Sequence, residues 1–269
     1  MAQEKIIFCF VIRHGQRSDF IDENWLENQN LVHKSRKHDP ILSDLGLEQA
    51  NDIKNYFLSQ LPQIPPCITF YSSPYTRCLQ TLHPLLSHLQ QENANAKVNI
   101  EYGIMEWHAR KPWNNDALPH NALYPLQQVF TSLVNTSYQP IISLQEEFTN
   151  RFPFHESADH LYARTRKTVE ALVKRHCTDQ TSSECIFLVT HAASAIAIIE
   201  TLLGEVKENM SVSQEDSRQY KQPQMSVASV PQLQSKDGGK TWTLVQNGCT
   251  AHLKSAAMYV FFFFFSWES

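Results

Sequence analysis

Near the N-terminus, a run of seven apolar residues (6–12) stops abruptly at the polar segment Arg13-His14-Gly15-Gln16-Arg17. An apolar run of this length predicts a strand that is buried on both faces, as in a parallel sheet covered by helices. Such sheets bind ligands at the carboxyl ends of their strands. Two guanidiniums and an imidazole at that position predict an anion site, and phosphate matches the planar fork of arginine. A short motif can equally be an ordinary turn, so the prediction depends on partners elsewhere in the chain.

The same arrangement of buried strand, polar exit and helix recurs twice. Cys67 to Tyr71 predicts a second buried strand, which is followed by Arg77 in the first turn of a helix. Ile186 to Thr190 predicts another buried strand, which ends at His191. A cation at a helix N-terminus is unfavourable unless an anion binds there; the alternative is that Arg77 is solvated. Because parallel strands end at one edge of a sheet, we expect a pocket that contains Arg13, Arg17, Arg77, His14 and His191.

Helical periodicity and capping residues follow these exits. The predicted helices run from Ser43 to about Gln60, from Arg77 through leucines 79, 82, 86 and 89, from Ser157 to about His176, and from 192 to Leu203 before Gly204. A weaker strand is predicted at Val98 to Glu101. The segments 20–40 and 108–154 show little periodicity, apart from a helix at about 126–133, and we expect them to form the wall or lid of the pocket.

Length, charge and cysteine spacing limit the fold, the binding partners and the cellular compartment that we expect for this chain. A chain of 269 residues with 42% hydrophobic and 19% charged residues can form roughly one large α/β domain. A net charge of −4 and a pI near 6.3 provide no basic field, so we expect no direct nucleic-acid binding and no membrane association. The six cysteines form no C-x-x-C pair and no metal-ligand spacing, which is typical of a reducing compartment. The N-terminal apolar run is too short for a signal peptide. These features predict the cytoplasm or the nucleus.

The C-terminal part differs in composition from the rest. Residues 205–224 are polar and predict a flexible loop, and 236–240 predict a turn between two short edge strands within about 225–253. We expect a single domain over 1–255, with its core at about 5–204. The tail 256–269 contains five consecutive phenylalanines, and its apolar part is about half the length of a bilayer span. Docking on a partner, aggregation and an error of gene prediction remain open for this tail.

Four motifs, in this order, resemble the histidine phosphatase superfamily: Arg-His-Gly-x-Arg, Ser-Ser-Pro-x-x-Arg-Cys-x-Gln-Thr, Gly-x-x-Glu-Trp and Val-Thr-His-Ala-Ala-Ser. Within it, the chain resembles the branch of the suppressor-of-T-cell-signalling phosphatases and the histidine-phosphatase-like tau subunit of transcription factor IIIC. Ser226 to Leu233 and Thr241 to Leu253 resemble the tau subunit in particular. The resemblance implies a phosphoglycerate-mutase-like, three-layer α/β sandwich with a mostly parallel central sheet and helices on both faces.

The resemblance also implies a role for each residue of the pocket. His14 would be the nucleophile that becomes a phosphohistidine, since a neutral imidazole offers a lone pair. Fixed cations stabilise the charge on a transferring phosphoryl group, and a carboxyl group with a raised pKa performs acid–base work at the leaving oxygen. The implied catalytic residues are His14, Glu106 and His191, the implied substrate-binding residues are Arg13, Arg17, Arg77 and His191, and no metal or cofactor is implied.

Two departures from the family's other branches refine this assignment. The acid-phosphatase branch has an Asp proton donor directly after its second His, where this chain has Ala192, so the donor falls to Glu106. The superfamily's mutases carry Glu-Ser after Arg-His-Gly, whereas this chain has Gln16-Arg17, and the extra cation favours a phosphatase. Two alternatives stay open: Glu106 is a surface residue beside a packed Trp107, or His108 is the proton donor.

The sequence therefore predicts a metal-independent phosphomonoester phosphatase with a phosphohistidine intermediate, of which a protein-tyrosine phosphatase is one form. The alternative is a tau-type subunit of transcription factor IIIC whose histidine phosphatase domain is structural or weakly catalytic. The expected partners are a phosphorylated substrate, a protein partner or second copy, and, in the alternative, subunits of a transcription complex. Phosphotyrosine, a nucleotide and a small metabolite remain open as substrates.

Overall fold

A computed structural model describes residues 5–27, 39–60, 66–92, 95–107, 130, 132–143, 156–177, 183–204 and 225–254. The strands are β1 (Ile7–Arg13), β2 (Cys67–Ser72), β3 (Val98–Ile100), β4 (Glu184–Thr190), β5 (Val230–Ser235) and β6 (Thr243–Cys249). The helices are α1 (Asp44–Gln60), α2 (Thr76–Glu92), α3 (Ala158–His176) and α4 (Ala192–Leu203), and short 3-10 turns lie at Ser18–Phe20 and Tyr102–Ile104.

The six strands form one mixed sheet in the order β3-β2-β4-β1-β5-β6. β1, β2, β3 and β4 are parallel, whereas β5 and β6 add to β1 in antiparallel orientation. The prediction that both C-terminal strands are edge strands is wrong for β5, which lies between β1 and β6. The burial of every residue of β5 to an intermediate degree or more follows from this inner position.

Helices cover both faces of the sheet, so the predicted three-layer α/β architecture is confirmed. Alternate residues of β1 separate the two cores: Phe10 and Ile12 pack with α1 and α2, and Cys9 and Val11 pack with α3 and α4. Phe10 also contacts the rings of Phe57 and Phe187 at centroid distances of 4.9 and 5.1 Å. Aromatic contacts of this kind each contribute about 1 kcal/mol beyond burial.

The predicted helix boundaries agree with the structure where a local cap is present. Ser43 Oγ accepts the Gly46 amide at 3.1 Å and Ser157 Oγ accepts the His160 amide at 3.2 Å. α4 ends at Gly204, whose φ of +72° is the left-handed conformation that glycine adopts without strain. The predicted helix at 126–133 falls mostly outside the described residues, and residues 132 and 133 form a turn.

Other predicted features also fall outside the described residues. They are the loop 205–224, the apolar tail 256–269, His108 and most of the two segments proposed as the pocket wall. The extent of the domain, 1–255, therefore stays a prediction. Within the described ranges, no helix combines the length and the apolar character that crossing a bilayer requires.

Candidate active site

Three strand exits meet at the carboxyl edge of the sheet. The register pairs Arg13 at the end of β1 with Thr190 at the end of β4. The His14 amide then donates to the Thr190 carbonyl at 3.0 Å, and the Ser73 amide, after β2, donates to the Val189 carbonyl at 2.9 Å. These backbone bonds place the side chains of residues 14, 73 and 191 around one small volume.

The turn after β1 lies directly against the N-terminal ends of α1 and α2. The Gly15 amide donates to Thr81 Oγ1 at 3.0 Å, and the Gln16 amide donates to Gln49 Oε1 at 2.8 Å. A Cβ atom on Gly15 would lie 2.8 Å from the Gly46 carbonyl oxygen, and one on Gly46 would lie 2.2 Å from the Gln16 carbonyl oxygen. Glycine is required at both positions because backbone packs on backbone there.

His14 is buried and its tautomer is defined by its neighbour. Its Nδ1 lies 2.7 Å from the Gly15 carbonyl oxygen. Because a carbonyl oxygen only accepts, Nδ1 carries the hydrogen and the neutral ring keeps its lone pair on Nε2. Burial first, then the charges of Arg77, His191 and Arg13, hold the pKa of His14 well below its ordinary value. The ring is therefore a neutral base whose lone pair lies on Nε2.

Arg13 precedes His14 in the chain and Arg17 follows it, and the two guanidiniums have different hydrogen-bond partners. Arg13 Nη1 donates to the Met225 carbonyl at 2.6 Å, and burial with the nearby arginines lowers its pKa to about 10, which leaves it charged at neutral pH. Arg17 Nε donates to Asp19 Oδ1 at 2.9 Å, Nη2 donates to the second carboxylate oxygen, and the guanidinium lies 4.5 Å from the Phe20 ring centroid. Arg17 is the more exposed of the two, with 23% of its side chain accessible.

Arg77 is almost fully buried at the first turn of α2. Its Nη2 donates to Glu106 Oε2 and to His191 Nδ1, each at 3.1 Å, and its Nη1 lies 3.4 Å from Asp39 Oδ1. Burial alone would lower the pKa of Arg77, but the carboxylates of Glu106 and Asp39 outweigh burial and raise it. Tyr75 lies against the guanidinium, 4.4 Å from ring centroid to Cζ. Arg77 is thus a permanent cation in the floor of the pocket.

His191 and Glu106 complete the pocket. His191 Nε2 lies 2.8 Å from Ser73 Oγ and its Nδ1 lies 3.2 Å from Glu106 Oε2. Burial, assisted by Arg77 and opposed by Glu106, lowers the pKa of His191 to about 4. Burial would raise the pKa of Glu106, but His191 and Arg77 outweigh burial and hold it well below its ordinary value. Glu106 is therefore an ionised carboxylate in this structure, in contrast to the raised pKa that acid catalysis requires.

The structure brings His14, Arg77, Glu106 and His191 close together, and the charges of Arg13 and Arg17 lie near enough to lower the pKa of His14 and of His191, respectively. The rings of His14 and His191 lie 5.2 Å apart, and Arg77 contacts both His191 and Glu106. Glu106 pairs with the charged Arg77, lies 3.2 Å from His191 Nδ1, and has only 22% of its side chain accessible, so it differs from the freely solvated glutamate of the first alternative. The second alternative, His108, lies outside the described residues.

Three of these side chains are also of the kind that binds metal ions. Ligand atoms of His14, Glu106 and His191 lie within 4.8 Å of one another. The Arg77 Nη2 atom already bridges Glu106 Oε2 and His191 Nδ1, however. A metal ion there would have to approach a buried guanidinium, so this donor set fits a metal poorly.

Sequence reasoning missed Asp39, Ser73 and Met225 as parts of the site. Asp39 lies in the segment interpreted as pocket wall, yet its carboxylate accepts the Thr76 amide at 3.0 Å and pairs with Arg77. One signal was available: α2 begins after Tyr75, which cannot cap a helix, so a distant carboxylate was to be expected. No local pattern marks Met225, which lies 212 residues from Arg13.

A family model described as the histidine phosphatase superfamily (branch 1) matches residues 9–120. This stretch contains five of the six site residues, and His191 lies beyond it. This match confirms the resemblance over the first three motifs, whereas the fourth, at 189–194, lies beyond it.

Two curated relatives align with longer stretches of the chain. The chain is 26% identical over 263 residues to the transcription factor tau 55 kDa subunit of Saccharomyces cerevisiae. This alignment covers 91% of this chain and 56% of that protein. It is 26% identical over 223 residues to the human ubiquitin-associated and SH3 domain-containing protein B, which covers 74% of this chain and 32% of that protein. The chain thus spans about half of one relative and a third of the other.

Solved structures confirm the phosphoglycerate-mutase-like fold. The ecdysone phosphate phosphatase of Bombix mori, in complex with tungstate, has a TM-score of 0.64 and 18% identity, and the alignment covers 90% of this chain and 93% of that one. A phosphoglycerate mutase from Bacillus anthracis has a TM-score of 0.53 and 17% identity, with 93% and 96% covered. At these identities the likeness concerns the fold alone.

Proposed function

We propose that this chain, whose motifs and fold match those of the histidine phosphatase superfamily, is a metal-independent phosphomonoester phosphatase that acts through a phosphohistidine on His14. The observation that carries the proposal is the state of His14: a buried, neutral ring whose Nδ1–H is fixed on the Gly15 carbonyl, so that Nε2 presents a lone pair. A neutral imidazole among three arginines suits attack on an anionic phosphorus centre.

The donors of the pocket support a phosphoryl group as its ligand. Arg13 Nε and Arg77 Nε are both buried and have no hydrogen-bond partner among the described residues. Buried donors without acceptors are rare in proteins and call for an explanation. The oxygens of a phosphoryl group between Arg13, Arg17 and Arg77 would accept from these nitrogens and would spread the transferring charge over fixed cations.

Glu106 acquires the right protonation state only with substrate bound. A phosphate dianion places negative charge beside the carboxylate and competes for Arg77, and both effects raise the pKa of Glu106. The carboxyl group then donates its proton to the leaving oxygen as His14 Nε2 attacks phosphorus. After the alcohol departs, the carboxylate accepts a proton from the water that attacks phosphorus, and the bond between phosphorus and His14 Nε2 breaks, which leaves His14 neutral and Glu106 protonated. Glu106 returns to its ionised state when phosphate leaves and its proton passes to solvent.

The His14→Ala variant tests the nucleophile. With 4-nitrophenyl phosphate as substrate, we expect turnover by the purified chain to fall at least about 10³-fold in this variant. Labelled substrate followed by an alkaline quench should trap phosphate on the wild-type protein and none on the variant. His83→Ala, at an exposed position on α2, is the matched control. Appreciable turnover by His14→Ala, with label still trapped on the protein, would assign the nucleophile to another residue.

A second function, assembly into a transcription complex, is favoured by one specific observation. The likeness to the yeast tau 55 kDa subunit extends over 91% of this chain, well beyond the family match at residues 9–120. On this proposal the chain is nuclear and its partners are other subunits of such a complex. Replacing the chromosomal copy with His14→Ala separates the two functions: normal growth, with the variant still in a stoichiometric nuclear complex, indicates assembly, whereas a loss equal to that of deletion indicates catalysis.

A further inference from the structure

The backbone that carries Glu106 is held by a buried arginine outside the pocket. Arg164, on α3, donates from Nη1 to the Gly103 carbonyl at 2.9 Å. Its Nη2 donates to the Met105 carbonyl at 3.2 Å and to the Glu106 carbonyl at 3.0 Å. One guanidinium therefore spans the turn that ends at the proposed proton donor, and it contacts the peptide unit of that residue directly.

Two hydroxyl groups complete the attachment from the other side. Thr190 Oγ1 donates to the Ile104 carbonyl at 2.6 Å, and Ser194 Oγ donates to the Met105 carbonyl. Thr190 precedes His191 in the chain, and Ser194 lies in the first turn of α4 just after it. All four consecutive carbonyls from 103 to 106 thus accept side-chain hydrogen bonds, and the turn is tied to the segment that contains His191.

The Glu156 carboxylate neutralises the charge of Arg164 and so offsets the cost of burying its guanidinium. Its carboxylate accepts from Arg164 Nε at 2.5 Å and from Nη2 at 2.9 Å, and the two side chains are 1% and 3% accessible. The Glu156 carbonyl also accepts from Trp107 Nε1 at 2.9 Å, on the other flank of Glu106. A buried ion pair is a weak source of stability, so a directional role explains this pair better than a purely stabilising one.

We infer that Arg164 is a positioning residue that fixes the Glu106 carboxyl group at the leaving oxygen, with Glu156 as the residue that fixes Arg164. The inference rests on the proposed function, in which Glu106 is the proton donor. The planar fork of arginine reaches three carbonyls and a carboxylate at once, which the single ammonium of lysine cannot do. A displacement of about 1 Å at a catalytic group can reduce a rate about 100-fold, so the effect of losing the fork should appear in the step that Glu106 performs.

The test compares substrates whose leaving groups need a proton to different degrees. Benzyl phosphate releases an alkoxide-like oxygen and depends on protonation, whereas 4-nitrophenyl phosphate releases an oxygen that departs without it. In Glu106→Gln we expect kcat/KM for benzyl phosphate to fall about 30-fold more than for 4-nitrophenyl phosphate. Arg164→Lys and Glu156→Gln should show the same selectivity at about tenfold, and Ser194→Ala at about threefold.

Glu184→Gln is the matched control, because it disrupts another buried ion pair, Lys5–Glu184, at the opposite end of β4. We expect it to lower the melting temperature much as Glu156→Gln does and to leave the ratio of the two kcat/KM values unchanged. Ser194→Ala removes a single hydroxyl, so it keeps the test decisive if Arg164→Lys does not fold.

The outcomes separate this inference from the function on which it rests. A steep leaving-group effect in Glu106→Gln combined with a flat one in Arg164→Lys, Glu156→Gln and Ser194→Ala overturns the positioning role alone. A flat effect in Glu106→Gln overturns the assignment of the proton donor and, with it, the positioning role. Selectivity in Glu184→Gln equal to that in Glu156→Gln would show that loss of stability is the cause, and it would also overturn the inference.

Discussion

Charged side chains are buried at both ends of the parallel strands, but their hydrogen bonding differs between the two ends. At the amino end, Lys5 Nζ donates to Glu184 Oε1 at 3.1 Å and to the His176 carbonyl at 2.7 Å, and His176 Nδ1 lies 2.5 Å from Glu184 Oε2. At the carboxyl end, Arg13 and Arg77 each keep a buried Nε without an acceptor among the described residues. A network whose hydrogen bonds are satisfied within the protein stabilises the fold, whereas buried donors without acceptors are available to bind a ligand.

The largest effect that would sharpen this contrast is expected from Arg77→Lys. The substitution keeps the charge but loses the fork, whose Nη2 contacts Glu106 and His191 while its Nη1 contacts Asp39. We expect kcat/KM for 4-nitrophenyl phosphate to fall about 10³-fold, with the melting temperature much less affected. Steady-state kinetics combined with thermal unfolding checks this, and activity within about tenfold of wild type would break the contrast.

The mirror experiment at the amino end is Lys5→Met. Removing one partner of a buried pair leaves the other charge uncompensated, so we expect a loss of about 3 kcal/mol in the free energy of unfolding. Turnover should stay within about twofold of wild type because the pair lies at the far end of β4 from His14. Urea unfolding and kinetics on the same preparation measure both, and a large loss of kcat without loss of stability would contradict the division between the two ends.

The depressed pKa values at the carboxyl end predict how stability depends on pH. The unfolded chain binds protons at histidine near pH 6.5, whereas folded His191 does so only at about pH 4 and folded His14 at a pKa well below its ordinary value. Their contribution to stability is therefore complete above about pH 6.5 and is lost as the pH falls towards 4. His14→Ala should reduce the slope of unfolding free energy against pH in this window, and an unchanged slope would show that His14 is protonated in the folded protein.

A comparison of inhibitors distinguishes guanidinium from metal chemistry at the carboxyl end. We expect a strong chelator to change turnover by less than about twofold, because the charges of the pocket are arginines. Vanadate, whose oxygens can occupy the positions of a transferring phosphoryl group, should inhibit competitively. Loss of activity on chelation that a divalent ion restores would show that metal is required.

The smallest expected effect is a change in stability at Ala228, whose backbone contacts the segment that follows β1. Its amide donates to the His14 carbonyl at 3.1 Å, and its φ of +55° is unfavourable for a residue with a side chain. We expect Ala228→Gly to raise the free energy of unfolding by up to about 1 kcal/mol and Ala228→Val to lower it. Equilibrium unfolding measures both, and equal stabilities for the three proteins would show that the backbone there is relaxed.

Sequence patterns predicted those parts of the molecule that depend on local periodicity. The run 6–12 and the periodicity of α3 predicted which residues are buried. Of the five core positions predicted for α3, four are in the core and Val173 is half-buried; the four are Leu161, Thr165, Val169 and Leu172. Arg164 lies three residues after Leu161, so helical spacing places it at the buried face, where it is 5% exposed, but the spacing does not indicate what a charged side chain would bind there. Its burial depends on carbonyl groups about 60 residues away, and no property of α3 alone records them.

The position of β5 and the role of Asp39 also depend on contacts with distant parts of the chain, which local sequence patterns do not record. Pairing of β5 with β1 joins residues more than 200 positions apart, and the hydrophobic pattern of a strand does not identify its neighbour. Asp39 stands in a segment without periodicity, so only the uncapped start of α2 indicated that a carboxylate was needed there. Residues that act through distant backbone groups are thus the ones that sequence reasoning missed.

The segment 225–229 closes the end of β1 and so affects when the site can form during synthesis. The Arg13 amide donates to the Ser229 carbonyl at 3.2 Å, and the Arg13 side chain donates to the Met225 carbonyl. A nascent chain that has emerged only to Gly204 already contains every proposed catalytic residue but not these acceptors. Chains fold from the N-terminus as they leave the ribosome, and contacts of such long sequence separation form late. Phosphatase activity on translating ribosomes should therefore appear only once residues 225–229, and β5 behind them, have cleared the exit tunnel.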